Sequence, residues 1–283
     1  MGGKTAFAMG AILAAATLGA CGIGSANEAG PKAGCTPSHS GLKTVRPGAL
    51  TVATYNFPPF LQVQGSTVSG VEGDILKKIA DLECLTLASQ PLDTGSVIPA
   101  TQNGRTDVSA GDWYCTGARA KVLSLAGPVY GDQIVIVSSD GATTFDDLKG
   151  RSVGTVDGYL WNKELAEIYG SSLKVYPNPT AVYSDLEVGR LDAAIDSIGT
   201  ASYAKKQNGE SWHIERPEPD PRVASSQVPG QVCFPMSRSN PNLFKAVSED
   251  IVELRRNGGI AQVLTKYGLD PAAADPGPLR LIG

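Results

Sequence analysis

The apolar positions of this chain fall into two kinds of run. "ALTVATYNF" (49–57) is mostly apolar and stops at Pro58-Pro59, as a buried strand does. "GDILKKIADL" then puts Ile75, Leu76, Ile79 and Leu82 on one helical face. "SVIPATQNGR" reads as a short helix ended by Gly104, and "TDVSAG" as the next strand. This alternation predicts an α/β unit with a largely parallel sheet. A second β-rich run, "YGDQIVIVSSDG", closes at Asp140-Gly141, and the pattern restarts. "TFDDLKG" is predicted as a helix, "SVGTV" as a strand and "YLWNKELAEIYG" as a helix. "TAVYSDLEVG" and "RLDAAID" repeat the unit, and "SWHIERP" adds a strand. After the Pro-rich "RPEPDPRVASSQVPG" and the apolar "QVCFPM" come two amphipathic helices. The first of them holds Leu243, Val247, Ile251 and Leu254 in phase, and the second is "GIAQVLTKYG". Residues 270–283 read as a loose tail. Core packing accounts for all these stripes, whose use is to place the loops.

The N-terminus reads as an address. Lys4 precedes an apolar run from Ala6 to Leu18, too short for a permanent membrane span. The run ends in Leu18-Gly19-Ala20-Cys21, which resembles the lipobox of bacterial lipoproteins. That resemblance implies removal of residues 1–20, acylation of Cys21 and a chain held on the outer face of the cell membrane. A plain secretory signal with an incidental cysteine is the alternative. Residues 21–48, rich in Gly, Ser and Pro, are expected to be a tether between membrane and domain.

Composition narrows the field. The 283 residues are 42% hydrophobic and 18% charged, with a formal net charge of −4. Such a chain can pack two modest units, and it lacks the basic stripe that nucleic acid requires. Two histidines, His39 and His213, are too few for a histidine-rich metal site, and no metal or cofactor is expected. Export gives Cys35, Cys84, Cys115 and Cys233 an oxidising setting without CxxC spacing, which favours disulfides over a metal site. Sequence alone allows three connectivities, or buried free thiols. The expected pairing is Cys35 with Cys84, where the tether folds back past the first helix, and Cys115 with Cys233 beside one lobe's strands.

The order of these elements resembles the family 3 extracytoplasmic solute-binding proteins of ABC transporters, from about Leu50 to Leu269. The segments that carry it are "LTVATYNFPPF", "GVEGDILKKIA", "SVIPATQNGRTDVSAG", "TGARAKVLSLAGPVY", "DLKGRSVGTVDG", "VGRLDAAIDS" and the closing helix pair. One departure is Val71-Glu72, where the family usually has an aromatic and Asp. The resemblance implies a periplasmic-binding-protein type II fold: two α/β lobes, joined by two hinge crossovers, closing on a ligand. The first lobe would comprise residues 49–138 and 230–269, and the second residues 139–229, with hinges near Asp140-Gly141 and Pro229-Gly230. It further implies a small-molecule ligand with a carboxylate, an ABC permease as partner, and a monomer.

Carried over residue by residue, Arg119 matches the arginine that grips the ligand's α-carboxylate, as a planar guanidinium with paired donors can. Thr116, three residues earlier, is expected to cap that helix or to touch the ligand. Phe57 matches the stacking aromatic of the first lobe, and Trp113, Tyr159 and Trp161 are candidates to complete an aromatic wall. At least one of these is expected to pack inside its own lobe. Asp112 and Tyr114 stand where the family more often has Gly, Ser or Thr. An aspartate there would repel an acid ligand, which points to a more cationic or polyhydroxylated one. Gly158 matches the glycine of a carboxylate-approaching loop, while Tyr159 and Leu160 replace the frequent Thr-Thr. The ammonium-binding acid falls on Asp196 or Ser197; spacing from Asp192 lands on Ser197, a one-residue gap selects Asp196, and Asp196 is preferred. Asp192 is assigned to local structure. Two other functions compete with transport: a dehydratase on the same fold, with Asp112 or Glu72 as proton donor, and a ligand sensor for a membrane partner.

Overall fold

The computed structural model describes residues 1–3, 34–65, 67–208 and 211–282. Most of the signal segment, Cys21 and the first part of the tether lie outside the described residues. Ten strands build two five-stranded sheets. They are β1 (Ala49–Thr54), β2 (Thr86–Pro91), β3 (Val108–Ser109), β4 (Ser124–Ala126), β5 (Ile134–Ser138), β6 (Val153–Val156), β7 (Leu173–Tyr176), β8 (Ala193–Ser197), β9 (His213–Glu215) and β10 (Phe234–Met236). The first sheet runs β2-β1-β3-β10-β4 and the second β7-β6-β8-β5-β9. In each, three strands are parallel and the remaining pairings antiparallel, so the sheets are mixed rather than largely parallel.

The first sheet forms because β1 is buried along its whole length and needs cover on both faces. Helix Val71–Leu82 supplies part of it through Val71, Ile75, Leu76 and Ile79. Helix Pro241–Arg256 adds Leu243, Val247, Ile251 and Leu254, started by Asn240, whose side chain accepts from the Leu243 N–H. The second sheet is covered by helices Asn162–Tyr169, Pro179–Glu187 and Ile198–Asn208, with Tyr183 and Trp212 rings 5.6 Å apart in its core.

The chain crosses between lobes twice, and the crossings pair with each other. Gly131–Asp132 and Gly230–Gln231 form a two-stranded antiparallel ladder. This moves the expected first boundary. Ile134–Ser138, assigned to the first lobe from sequence, is hydrogen-bonded between β8 and β9 and belongs to the second. A strand buried at every position needs partners on both sides, and only the second sheet offers them. The crossing therefore lies near Gly131, nine residues before Asp140; the other runs through Gly230–Gln231.

Both disulfides follow the expected pairing: Cys35–Cys84 and Cys115–Cys233, with Cα separations of 5.7 and 5.3 Å. The segment from Cys35 to Gly48 is held to the first lobe rather than hanging free. Ser38 N–H donates to Leu82 O, Val45 N–H to Asp107 and Asn240 to Lys43 O. The C-terminal segment is likewise no loose tail. Gln231 donates to the carbonyls of Pro276 and Pro278 and accepts from Arg280 N–H, and Gly117 N–H donates to Ile282 O. It therefore straps the crossover ladder to the helix that carries Arg119.

Candidate functional site

A cavity of about 240 Å³ opens between the lobes. The first lobe contributes Tyr55, Phe57, Asp112, Trp113, Tyr114 and Arg119; the second contributes Gly158, Tyr159, Leu160, Trp161 and Ser197. Aromatic faces dominate the wall. Tyr55 stacks on Phe57 at 5.5 Å, Tyr159 meets Trp161 edge-on at 4.9 Å, and Phe57 faces Tyr159 across the cleft at 6.3 Å. Such surfaces offer apolar area and a negative π-face together.

Arg119 reaches the cavity because of the loop before it. Thr116 is the N-cap, its hydroxyl accepting from Arg119 N–H at 3.1 Å, so capping is its role and it does not line the cavity. The guanidinium lies 4.8 Å over the Trp113 ring and donates one N–H to Tyr114 O at 2.6 Å. No carboxylate of the described residues forms an ion pair with it, which leaves donors for a ligand. Burial lowers its pKa to about 10, so it stays charged at neutral pH.

Behind it sits a buried acid cluster. Gly111 N–H and Asp112 N–H donate to Glu72 at 2.5 and 2.7 Å, and Tyr130 OH donates at 2.8 Å. Gly111 has φ +129°, and a Cβ there would lie 2.2 Å from the Tyr55 ring, so only glycine fits this turn. Tyr114 donates to Asp132 on the crossover at 2.7 Å. Burial, reinforced by Asp132 and Glu72, pushes the Asp112 carboxyl well above the usual range. This disfavours the charged form of Asp112 and so lessens the repulsion of a bound carboxylate that its position suggested in the sequence.

The second lobe corrects one preference. Ser197 lines the cavity and Asp196 does not, although both are almost wholly buried, at 2% and 1% exposed. Asp196 Oδ1 accepts from Tyr159 OH at 2.8 Å and from Ser197 N–H at 2.7 Å. Alternation along β8 permits only one of two neighbours to face the cleft. Asp192 is local, accepting from Ser152 N–H. Trp161, 3% exposed, packs largely within its own lobe and donates to Thr155, while its edge still meets the cavity. Gly158, at φ +81°, turns the chain toward helix Asn162–Tyr169. Tyr55 escaped the sequence reading, although it stands two residues before Phe57. Asp93, Thr94, Asp157 and Asn178 also reach the cavity without any motif to mark them.

Comparison with known proteins matches residues 50–270 to bacterial extracellular solute-binding proteins, family 3. The L-cystine-binding protein TcyJ of Escherichia coli K12 is 25% identical over 224 residues, covering 75% of this chain and 79% of that one. The lysine/arginine/ornithine-binding periplasmic protein of the same organism is 25% identical over 209 residues, covering 69% and 76%. Among solved structures, the substrate-binding protein of an amino acid ABC transporter superposes with a TM-score of 0.67 at 25% identity, covering 78% of this chain and 99% of that one.

Proposed function

For a chain that belongs to the bacterial extracellular solute-binding proteins of family 3, we propose capture of an amino-acid-like carboxylate between the lobes and its delivery to an ABC permease. The observation that carries this reading is Arg119, charged, set among aromatic faces in an interlobe cavity, with guanidinium donors left over. The carboxylate takes the guanidinium fork. The Gly158 loop and Ser197 approach it from the second lobe, and the aromatic walls with Asp112 receive the other end. Binding thus draws on both lobes, so occupancy favours closure about the Gly131–Asp132/Gly230–Gln231 ladder.

The relatives are binding proteins rather than enzymes. Glu72 suits a proton donor poorly, since it is fully buried, accepts three hydrogen bonds and does not line the cavity. The same reading places removal of residues 1–20 and acylation at Cys21, holding the chain on the outer membrane face as a monomer. Cys21→Ala is then expected to move the protein out of the membrane fraction; normal processing and retention would contradict it.

Native mass spectrometry of the protein as exported, followed by calorimetric titration of the compound found, tests the main reading. One carboxylate-bearing small molecule per chain is the expected result. Failure to retain or titrate any carboxylate from an amino acid panel would overturn it.

A further inference from the structure

On the face of the first lobe where the N-terminal segment docks, four titratable side chains from three parts of the chain converge. Glu83 caps the end of helix Val71–Leu82 and is nearly inaccessible, with a side chain 1% exposed. His39, on the docked segment, places Nδ1 2.6 Å from Glu83 Oε1, and its backbone N–H donates to Glu83 Oε2 at 3.0 Å. Asp250, from helix Pro241–Arg256, is 2% exposed, and its Oδ2 has no hydrogen-bond partner. Donor atoms of His39, Glu83 and Asp250 all lie within 4.8 Å of one another. We propose that His39, Glu83 and Asp250 form a binding site for a divalent transition-metal ion of the zinc class.

Three features beyond proximity carry the assignment. The first is the Asp250 carboxylate, buried with no N–H or hydroxyl donor on Oδ2 and with the Glu83 carboxylate beside it, a crowding of acids that a cation would relieve. The second is the far side of the imidazole. His39 Nε2 lies 2.8 Å from Glu249 Oε2, so Nε2–H donates outward to a carboxylate while Nδ1 faces the cluster. That is the arrangement that fixes the tautomer and orientation of a metal-bound histidine. The third is the donor chemistry. One imidazole with two carboxylates suits a borderline ion such as zinc, whereas magnesium and calcium prefer all-oxygen sets. Donors around a tetrahedral ion stand roughly 3.3–3.6 Å apart, which small rotations of His39 and Asp250 would reach.

Without an ion, protons must relieve the crowding of acids. Burial and Glu83 together push Asp250 up to about 7, and the bond to Glu83 raises His39. Metal binding displaces the proton on His39 Nδ1 and is therefore opposed by acid. Beside the cluster, Cys35–Cys84 already ties the same segment to the same helix end. The ion would add helix Pro241–Arg256 to that tie and fix the direction in which the segment leaves the lobe toward the N-terminus.

The test uses the full chain, stripped with chelator and titrated with zinc chloride at pH 7.5 in a calorimeter, with thermal unfolding alongside. One equivalent should bind, with proton release and a raised midpoint. His39→Gln, at a part-exposed position, should weaken zinc at least tenfold, and so should Asp250→Asn. His213→Gln, on the other lobe, should leave it unchanged. Absence of saturable zinc binding, or binding that survives His39→Gln intact, would overturn the site and leave a proton-held acid cluster.

Discussion

Tyr159 donates its hydroxyl to Asp196 Oδ1 at 2.8 Å, and in doing so the cavity wall seals an acid away from the cavity. The ring of Tyr159 lines the cleft while its polar tip reaches the second lobe's interior. The carboxylate best placed by sequence to meet a ligand ammonium is thereby spent on the protein itself. The buried Tyr183 hydroxyl lies within its reach as well.

This arrangement has a pH consequence. Burial raises Asp196 to about 7, although Tyr159, Ser197 and Tyr183 pull the other way. An unfolded aspartate releases its proton near pH 4. Between those values the folded state holds the extra proton, so unfolding releases it and rising pH favours unfolding. The contribution is complete below about pH 4 and lost as pH rises through 7. It amounts to something on the order of 3–4 kcal/mol. Denaturant unfolding between pH 4 and 8.5 should show the fall, and Asp196→Asn should reduce its slope by about one proton, leaving the shares of Glu72 and Asp250, which burial raises to the same range. Equal slopes in both proteins would place the titrating group elsewhere.

The two disulfides should differ in worth. Cys115–Cys233 spans 118 residues and Cys35–Cys84 spans 49. Chain entropy alone makes the longer loop more stabilising by about 0.8 kcal/mol. Cys115 also immediately precedes the Thr116 cap of the Arg119 helix and is wholly buried, whereas Cys35 is exposed. Paired replacement by alanine should therefore cost about 2–4 kcal/mol at Cys115/Cys233 and less at Cys35/Cys84. Only the former should weaken ligand binding. Urea midpoints with calorimetric titration decide it, and the reverse order would refute it.

Much of the fold was legible because its core is periodic. Ile75, Leu76 and Ile79, or Leu243, Val247 and Ile251, declare a buried helical face without help. What escaped lacks that contrast. β2, "TLASQP", is a half-exposed edge strand carrying Ser, Gln and Pro, and β7, "LKVY", exposes Lys174 and Val175. Helix Ile198–Asn208 buries only Gly199, Thr200 and Ala201, so it has no apolar stripe to find. "TFDDLKG", expected as a helix, is reduced to the 3₁₀ turn Asp146–Leu148, Asp147 being used to cap the loop before it. At the site, Arg119 and Phe57 were marked by motif position. The choice between Asp196 and Ser197 was a matter of strand parity, which one ambiguous residue of spacing cannot settle.

Arg119 should behave as the carboxylate fork. Charge-assisted hydrogen bonds contribute roughly 1.5–3 kcal/mol each, so Arg119→Ala should lower affinity by about ten- to a hundredfold or more. Arg119→Lys keeps the charge but loses the paired geometry, and its lost stacking on Trp113 also weakens the wall. It should fall between wild type and Arg119→Ala. Titration of the ligand found by mass spectrometry measures this. A folded Arg119→Ala with wild-type affinity would mean that the carboxylate is held elsewhere or absent.

Closure can be challenged without touching the ligand. Gly199, in the second lobe, lies so near Phe60 of the first that an added Cβ would stand 2.3 Å from the ring tip. Phe60 cannot retreat, because it is fully buried and stacked between Phe57 at 5.7 Å and Tyr130 at 6.0 Å. Within its own helix alanine is favoured over glycine by about 0.5–1 kcal/mol, so Gly199→Ala should leave the second lobe intact. The substitution acts only where the lobes meet. It should depopulate the closed form, and apparent affinity falls by the same fraction. We expect roughly tenfold weaker binding or more, a melting temperature within a few degrees of wild type, and a larger radius of gyration by X-ray scattering with ligand present. Wild-type affinity and an unchanged scattering profile would show that Gly199 and Phe60 do not approach in the liganded protein. Lobe closure would then rest on other contacts between the lobes, among them Phe57–Tyr159, Tyr114–Trp161 and Gln62–Tyr203.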